Sequence, residues 1–596
     1  MPLAITAAVI LGFILRIVSS IEMAEFNAGM NSVFHPSTAS DLATYMRLAR
    51  EIAAGKFPET FYYQPWYYAV FVPAILLCGG GTPGVIIAQI FCGGAAVILS
   101  AAAAAKFAGK RGALFAALLA ATSVPLVFYT PFHQNETLQS MHLVLMFLLA
   151  LCALQKGKWQ LFAAAGVVSG TAIATRGNIM LIFGYLLILT LIFPRRIKMK
   201  KRVLNAVVLT FAAILMILPF SIRNTVSLKR LCGPSTAGDA VLALGNTPEA
   251  PAGGRNPGLP AGPMEYPEAF HRTMSDTAHG VGLGRAMANW MCREPLAFFE
   301  LQFRKLLLFW DAREIPNNVA FEGEGRTSSV ISAMRSCQLE YPLIICGLAG
   351  LLLAAGCFRL RDVRLWWLCG FIVIYWGSIA LFYNLSRFRA PVLPVLAVSA
   401  ALLVRRRIKR RGIYKIAALL FALFICVFAY DNYRLCEPEI MRFVRPAGTT
   451  VPPAIGQDKC DVLDHGPYTF GLWSEVRLVP GTRVGKKFCA SGKGDVIWKI
   501  FSDGENTLTV RELSGELSTF QLVRGENSVT LSAQELSETG FEVIYASGNI
   551  FAMRDFQRDY SRSTLNGKTF PAEWVTRCRF VLDKKQLESY TKQSGK

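Results

Sequence analysis

Long apolar runs fill the first 430 or so residues of this 596-residue chain and then cease. A membrane-spanning helix needs about 20 consecutive apolar residues. Segments near that length, a few of them shorter, lie at roughly 3–20, 84–105, 112–131, 137–154, 159–175, 177–194, 203–220, 341–357, 365–383, 389–404 and 413–430. The fold class expected is a polytopic α-helical membrane protein of about eleven spans over residues 1–431, followed by a different material over 432–596. With 53% hydrophobic and only 17% charged residues, the chain is poorer in charge than a soluble domain, where about a quarter is usual. The first 19 residues read as a retained helix, because Arg16 interrupts their apolar core and no small-residue cleavage site follows.

The net charge of +22 would suggest nucleic acid in a soluble protein. Its placement argues otherwise. Basic residues crowd five short connections: Lys106, Lys110 and Arg111; Lys156 and Lys158; Arg195 to Arg202; Arg359, Arg361 and Arg364; and Arg405 to Arg411. The alternate connections hold little more than Arg176, Arg387 and Arg389. Eleven spans with an inside N-terminus put all five basic loops in the cytoplasm, as positive-inside bias demands, so nucleic acid is not an expected partner. The apolar, aromatic segment Pro65 to Leu77 is too short to span and reads as interfacial or re-entrant.

This topology puts three large pieces on the outer side: 21–83, with an amphipathic stretch near Asp41–Ala54; 221–340, with a Gly/Pro-rich segment at Gly245–Pro263 and helix near Gly284–Trp310; and the tail. In the tail, Val496–Phe501, Thr507–Glu512, Thr519–Val523, Ser528–Leu531 and Phe541–Tyr545 alternate or are β-branched. Asp503-Gly504, Gly515 and Gly525-Glu526-Asn527 separate them at hairpin-like intervals, so a β-rich extracytoplasmic domain is expected. Cysteines within apolar runs read as small core residues; Cys436, Cys460, Cys489 and Cys578 can pair in an oxidising compartment, with connectivity open.

Polar groups at the outer ends of the spans are where chemistry is expected, because charge beside apolar helices is costly. Asp41 lies just after the first span, and Tyr45 shares its helical face at i, i+4. Asp41 has two readings: a helix N-cap, or a carboxylate held at the membrane surface as general base for a hydroxyl. Arg176, Arg223, Arg387 and Arg389 sit at outer membrane ends. There they either snorkel or offer guanidinium forks to phosphate oxygens. Glu136 opens the fourth span, where a carboxylate suits a helix N-terminus. His133 stands three residues before it, a spacing compatible with a divalent ion, although two ligands do not make a site.

The order of Asp41, Tyr45, the Gly55-Lys56-Phe57 turn and Tyr62-Tyr63-Gln64-Pro65-Trp66-Tyr67-Tyr68 resembles the first outer loop of membrane glycosyltransferases that use polyprenyl-phosphate sugars. These are the protein-mannosyltransferase-like and aminoarabinose-transferase-like members of the glycosyltransferase-C superfamily. Thr175-Arg176, Pro219-Phe220-Ser221-Ile222-Arg223-Asn224, Gly245-Asn246-Thr247-Pro248-Glu249, Arg293-Glu294-Pro295 with Lys305, and Arg387-Phe388-Arg389-Ala390-Pro391 resemble further family segments in the same order. The resemblance spans residues 1–430. It implies that Asp41 is the catalytic base of an inverting transfer, that Glu136 is a second acidic position, and that the outer arginines with Tyr45 bind substrate.

Two departures bear on metal use: Gln64 and Leu42 stand where relatives carry acids, which leaves a divalent cofactor open. The chain lacks Walker, GxGxxG and GxSxG signatures. The resemblance then implies a lipid-linked donor meeting a glycolipid, polysaccharide or protein acceptor on the outer side of the cytoplasmic membrane. The alternatives are a transporter or lipid flippase without covalent chemistry, which would place ionisable groups at mid-membrane in repeats, and a non-catalytic scaffold.

Overall fold

The computed structural model describes every residue except 26–32, 35, 37–39, 194–196, 239–240, 243–244, 247–249, 251, 254–282, 316, 322–323, 357–361, 406–411, 443–458, 464–474, 488–492, 503, 536, 556–562, 570–572, 575 and 582–596. The tail cysteines, most of the Gly/Pro-rich segment and parts of three basic loops lie outside the described residues or side chains.

The N-terminal half builds α1 (Pro2–Glu25), α2 (Asp41–Ala53), a π-helical turn at Trp66–Phe71 running into α3 (Val72–Leu77), α4 (Gly81–Ala121), α5 (Val124–Phe128), α6 (Glu136–Lys156), α7 (Trp159–Thr175), α8 (Ile179–Ile192) and α9 (Met199–Leu228). Further helices run over Leu283–Arg293, Pro295–Leu308, Ser329–Ser336, Tyr341–Gly356, Val363–Ala380, Ser386–Val404 and Gly412–Arg442. The protein is thus a polytopic helical membrane protein with a β-rich C-terminal region.

Each expected span is helical for much of its length, and helix length and apolarity alone do not fix the count at the eleven expected. Seven described helices are long and apolar enough to cross a bilayer, or eight if Ser329–Ser336 and Tyr341–Gly356, bent by 54°, form one span. The helices α7 and α8 have 17 and 14 residues, short of that length. The expected span 112–131 ends at Ala121, and the chain restarts as the separate α5 behind Pro125. The 41 residues of α4 are two arms meeting at Gly109, whose φ of 65° and ψ of −157° break the helix between Lys106 and Lys110.

Close packing of small residues holds the bundle. Gly166 and Gly170 on α7 lie against α9, where a Cβ on either would stand 2.4 Å from the carbonyl oxygens of Leu209 and Ala213. Four-residue spacing of glycines lets two backbones approach this way in membranes. Arg16 is buried in α1 and donates to the carbonyls of Gly12 (2.9 Å) and Ala120 (3.4 Å), tying α1 to α4. At the end carrying basic loops, Arg202 donates to Leu191 O at 2.7 Å and Asn205 to Gly157 O at 3.4 Å.

The described tail strands form two antiparallel sheets. One runs β1 (Lys459–Leu463), β13 (Thr576–Val581), β4 (Lys493–Ser502), β9 (Ile550–Asp555), β12 (Glu573–Trp574), with β2 (Glu475–Leu478) on β9 and β7 (Gly525–Glu535) on β4. The other runs β11 (Lys568–Thr569), β10 (Ser563–Leu565), β3 (Arg483–Lys486), β8 (Thr539–Ala546), β5 (Asn506–Glu512), β6 (Leu517–Leu522). Strict alternation along β4 buries Val496, Trp498 and Ile500. Trp498 meets Phe541 of the other sheet edge-on at 5.1 Å, so the sheets pack face to face.

All five expected strand runs are strands. The turns behave differently: of the three expected ones, Gly515, at φ 91°, closes a hairpin, between β5 and β6. Between Ser502 and Asn506, and again between Leu522 and Gly525, the chain passes from one sheet to the other. At the other two expected turns the Gly and Asn residues mark where a strand ends, not which strand it pairs with.

Candidate functional site

The helix α2 begins with a cap that settles one of the two readings of Asp41. Ser40 is the N-cap, and its hydroxyl accepts from Ala43 N at 3.3 Å. Of the two readings, the one in which Asp41 itself caps α2 is therefore set aside. One position inside the helix, its carboxylate turns to distant parts of the chain. Oδ2 accepts from Arg387 Nη2 at 2.6 Å and from Asn318 Nδ2 at 2.8 Å. The Arg387 side chain is 7% exposed and that of Asp41 18% exposed, so the pair is largely shielded but reachable.

A second ion pair lies in the same region. Glu136, the first residue of α6, is 1% exposed and accepts from Arg176 Nη2 at 3.0 Å. Arg176 directly follows α7 and also donates to Asn135 Oδ1 at 3.2 Å. Asn135 Nδ2 in turn donates to Thr175 O at 3.0 Å, locking the two helix ends together. The N-terminal dipole of α6 favours the Glu136 carboxylate there.

Phe388 links the pairs. Its ring centroid lies 4.6 Å from the Arg176 guanidinium carbon and 5.1 Å from that of Arg387. Both are within cation–π range. Arg387 experiences the charges of both Asp41 and Glu136. Two acids and two guanidiniums thus form one alternating cluster around a phenyl ring.

Tyr45 is buried beneath this cluster. It stacks on Tyr68 at 5.7 Å and meets Tyr63 and Tyr67 edge-on at 5.6 and 5.9 Å. Its phenol is pushed well up, first by burial and then by Asp41. Tyr67 donates to Gln89 Oε1 at 3.0 Å, and Gln89 donates to the carbonyls of Thr130 and Phe132 at 2.8 and 2.9 Å. The aromatic run 62–68 therefore supports α2 from the protein side. Tyr67, Tyr68 and Trp310 are each no more than 2% exposed, so they pack inside rather than anchoring at an interface.

The other sequence candidates lie elsewhere or face away. Arg389 is buried, but its guanidinium donates to the carbonyls of Phe309 (3.2 Å), Ala312 (3.5 Å) and Arg313 (3.2 Å), bracing that loop. Arg223 donates to Pro58 O at 2.6 Å and Phe57 O at 3.3 Å. Asn224 beside it holds Phe61 N at 2.7 Å, so the end of α9 clamps the turn after α2. Both arginines donate to backbone carbonyls of neighbouring loops.

His133 is buried, and its pKa is pushed down to about 4 by burial and then by the charge of Arg50. Among the described residues no three His, Cys, Asp or Glu side chains converge to hold an ion. His133 and Glu136 thus have no third such side chain beside them among the described residues.

Asn318 is the contact that sequence reasoning missed. It sits at φ 67°, a conformation Asn tolerates better than most residues, in a loop with no periodic signal. Lys305 is another buried anchor: Nζ donates to Gly245 O (2.6 Å), Asn246 Oδ1 (3.1 Å) and Phe382 O (2.9 Å). It unites two segments of the large loop that the sequence singled out separately.

Residues 64–222 match the family model described as dolichyl-phosphate-mannose-protein mannosyltransferase. No curated protein matches the sequence. Among solved structures, the chain is similar to the Archaeoglobus fulgidus oligosaccharyltransferase in complex with Zn and sulfate, at 18% identity and TM-score 0.40, covering 73% of this chain and 53% of that one. It is similar to ArnT from Cupriavidus metallidurans bound to undecaprenyl phosphate, at 14% identity and TM-score 0.37, covering 74% and 73%. It is also similar to the arabinosyltransferase EmbB from Mycobacterium smegmatis, at 14% identity and TM-score 0.27, covering 97% and 65%. The chain thus spans about half the length of the oligosaccharyltransferase. The family match contains Glu136, Arg176 and the aromatic segment at 64–68 but neither Asp41 nor Arg387, which folding brings to them. This polytopic membrane protein resembles the polyprenyl-phosphate-sugar-dependent glycosyltransferases of the glycosyltransferase-C type, and its residues 64–222 carry the family match of the dolichyl-phosphate-mannose-protein mannosyltransferases.

Proposed function

We propose that the chain transfers a sugar from a polyprenyl-phosphate donor to an envelope acceptor hydroxyl, with inversion, on the outer side of the cytoplasmic membrane. Residues 1–431 are the transferase core in this reading, and 432–596 an accessory domain. The observation that carries it is the alternating cluster of Asp41, Arg387, Phe388, Arg176 and Glu136.

Asp41 takes the proton from the acceptor hydroxyl as its oxygen bonds to the anomeric carbon. The bond from that carbon to the donor phosphate oxygen breaks, and polyprenyl phosphate leaves with one more negative charge than it brought as a diester. Arg387 and Arg176 stabilise that developing charge, since fixed guanidiniums in a dry site act most strongly where charge appears. Before donor arrives, Arg387 pairs with Asp41 at 2.6 Å, which weakens the carboxylate as a base. Donor phosphate drawing Arg387 away frees Asp41, so proton abstraction is coupled to donor binding. Asn318 and Tyr45 keep the carboxylate and its helix in place.

The test is Asp41→Asn in membrane vesicles supplied with labelled polyprenyl-phosphate sugar. Transfer falls on the order of 10²–10⁴-fold while membrane insertion is unchanged. Transfer at the wild-type rate in the variant would sink the reading. Solute accumulation without covalent transfer would favour the transporter instead.

A further inference from the structure

Asn318 holds the carboxylate of Asp41, and a series of contacts that begins on the helix Gly412–Arg442 holds Asn318. Tyr430 and Tyr433 are neighbours on one face of that helix at i, i+3. The guanidinium carbon of Arg313 lies 3.8 Å from the centroid of each of their rings, within cation–π range. Its Nη2 donates to Tyr430 O at 2.7 Å, and Tyr433 Oη donates to Glu314 O at 2.8 Å. The buried Asp311 accepts from the same guanidinium through Nε at 3.0 Å and Nη2 at 2.7 Å. Arg313 is thus gripped by its own segment on one side and by the helix that precedes the tail on the other.

From this anchor the chain turns back to the site. Ile315 exchanges two hydrogen bonds with Ser386: its N donates to Oγ at 2.7 Å, and its O accepts from Ser386 N at 3.1 Å. Ser386 directly precedes Arg387, the partner of Asp41. Glu314 Oε2 accepts from Phe321 N at 2.6 Å, and Glu324 Oε2 accepts from Ala320 N at 2.9 Å. Two carboxylates therefore close the turn that carries Asn318 and hold it at φ 67°. Such a conformation persists where its surroundings over-determine it. Both donors on Asp41 Oδ2, Asn318 and Arg387, are set by a segment that Arg313 fixes at its start.

We propose that Arg313 is a positioning residue for Asp41, acting through Asn318 and tying the carboxylate to the helix that leads into the tail. The proposal rests on the reading of Asp41 as the general base. A shielded ion pair such as Arg313 with Asp311 adds little stability for its desolvation cost, whereas a planar guanidinium held by a carboxylate and two rings is a rigid geometric fixture. A base displaced by a fraction of an ångström loses much of its rate, so a fixture outside the reacting groups governs turnover through the geometry it imposes.

The experiment compares Arg313→Met, Asn318→Gly and the double variant in the full chain. Glycine keeps the positive φ while removing the carboxamide. Transfer kcat falls about 10- to 100-fold in each single variant with the donor KM unchanged. The double variant falls no further than Asn318→Gly alone, because one path carries both effects. A second readout needs no transfer: carbodiimide labelling of Asp41 at about pH 5, read by peptide mass spectrometry. A carboxylate that loses a donor is protonated more often, so labelling rises about ten-fold in each single variant and no further in the double. Arg387, Glu136 and Tyr45, the other charged or titratable groups that interact with this cluster, stay in place throughout. Should Arg313→Met fail to accumulate, Tyr430→Leu removes one ring from the guanidinium and gives smaller changes in the same direction. Non-additive labelling in a wild type that transfers no sugar supports the coupling and counts against the base reading alone. Unchanged kcat and labelling in Arg313→Met, or effects that multiply in the double variant, overturn the proposal.

Discussion

Arg387 reaches Asp41 across 346 positions of the chain, placing a guanidinium Nη2 2.6 Å from a carboxylate Oδ2. Lysine at 387 keeps the charge but loses the planar fork. Arg387→Lys is expected to raise the KM for donor and to lower kcat about 10²-fold, leaving the KM for acceptor unchanged. Initial rates at varied donor and acceptor separate the two effects.

The pair of Glu136 and Arg176 is mostly buried, at 1% and 12% exposure. Removing one member leaves the other charge without its partner. Arg176→Met is therefore expected to cost about 3–5 kcal/mol of stability, and the double variant with Glu136→Gln to recover part of that. Unfolding titrations of the two variants in mixed micelles measure the difference; equal losses in single and double variants would contradict the pairing.

Arg389 has the same charge as Arg387 and sits two residues away, yet its partners are backbone carbonyls. Arg389→Met leaves those carbonyls without their donors and is expected to lower stability by about 2–4 kcal/mol. In the surviving folded fraction, the KM for donor stays at its wild-type value. A raised donor KM with normal stability would instead place Arg389 at the phosphate.

Acidification is expected to destabilise the protein through His133. Its pKa lies near 4 in the folded protein against 6.5 for an exposed imidazole. Between those values the unfolded chain binds a proton that the folded one refuses, so stability falls as pH drops through that window, by up to about 3 kcal/mol at its foot. Unfolding midpoints from pH 7 to pH 4 check this, and the slope flattens in His133→Gln.

Lys305 holds Gly245, Asn246 and Phe382 together with one ammonium group. Burial pushes its pKa down to about 7. Lys305→Met removes the donor from three acceptors and is expected to loosen Gly245-Asn246 and the 381–384 segment. Faster proteolysis of the large loop reports that loosening; unchanged cleavage would argue against the anchoring role.

Much of the architecture was legible because it follows from local periodicity. Runs such as Trp159–Thr175 and Glu136–Lys156 are apolar over helical lengths, and β4 alternates strictly, so element type and approximate bounds could be read directly. The span count could not. Gly109 breaks α4 and Pro125 divides the next expected span, so continuity depends on backbone angles rather than hydropathy. Strand pairing was equally hidden, since β4 and β5, like β6 and β7, follow one another in the chain yet lie in different sheets that only the packed tail defines.

The sequence by itself determined that this chain is a membrane protein with a β-rich tail, and it singled out Asp41, Glu136, Arg176 and Arg387 as charges at helix ends. It could not separate Arg387 from Arg389, because two positions apart on a helix face roughly opposite ways and composition carries no direction. Nor could it free Asp41 from capping until Ser40 was seen to fill that role. Asn318, in a loop without periodicity, had no local mark at all. Only the tertiary structure decided which charges meet, because a buried ion pair is set by the packing of helices hundreds of residues apart.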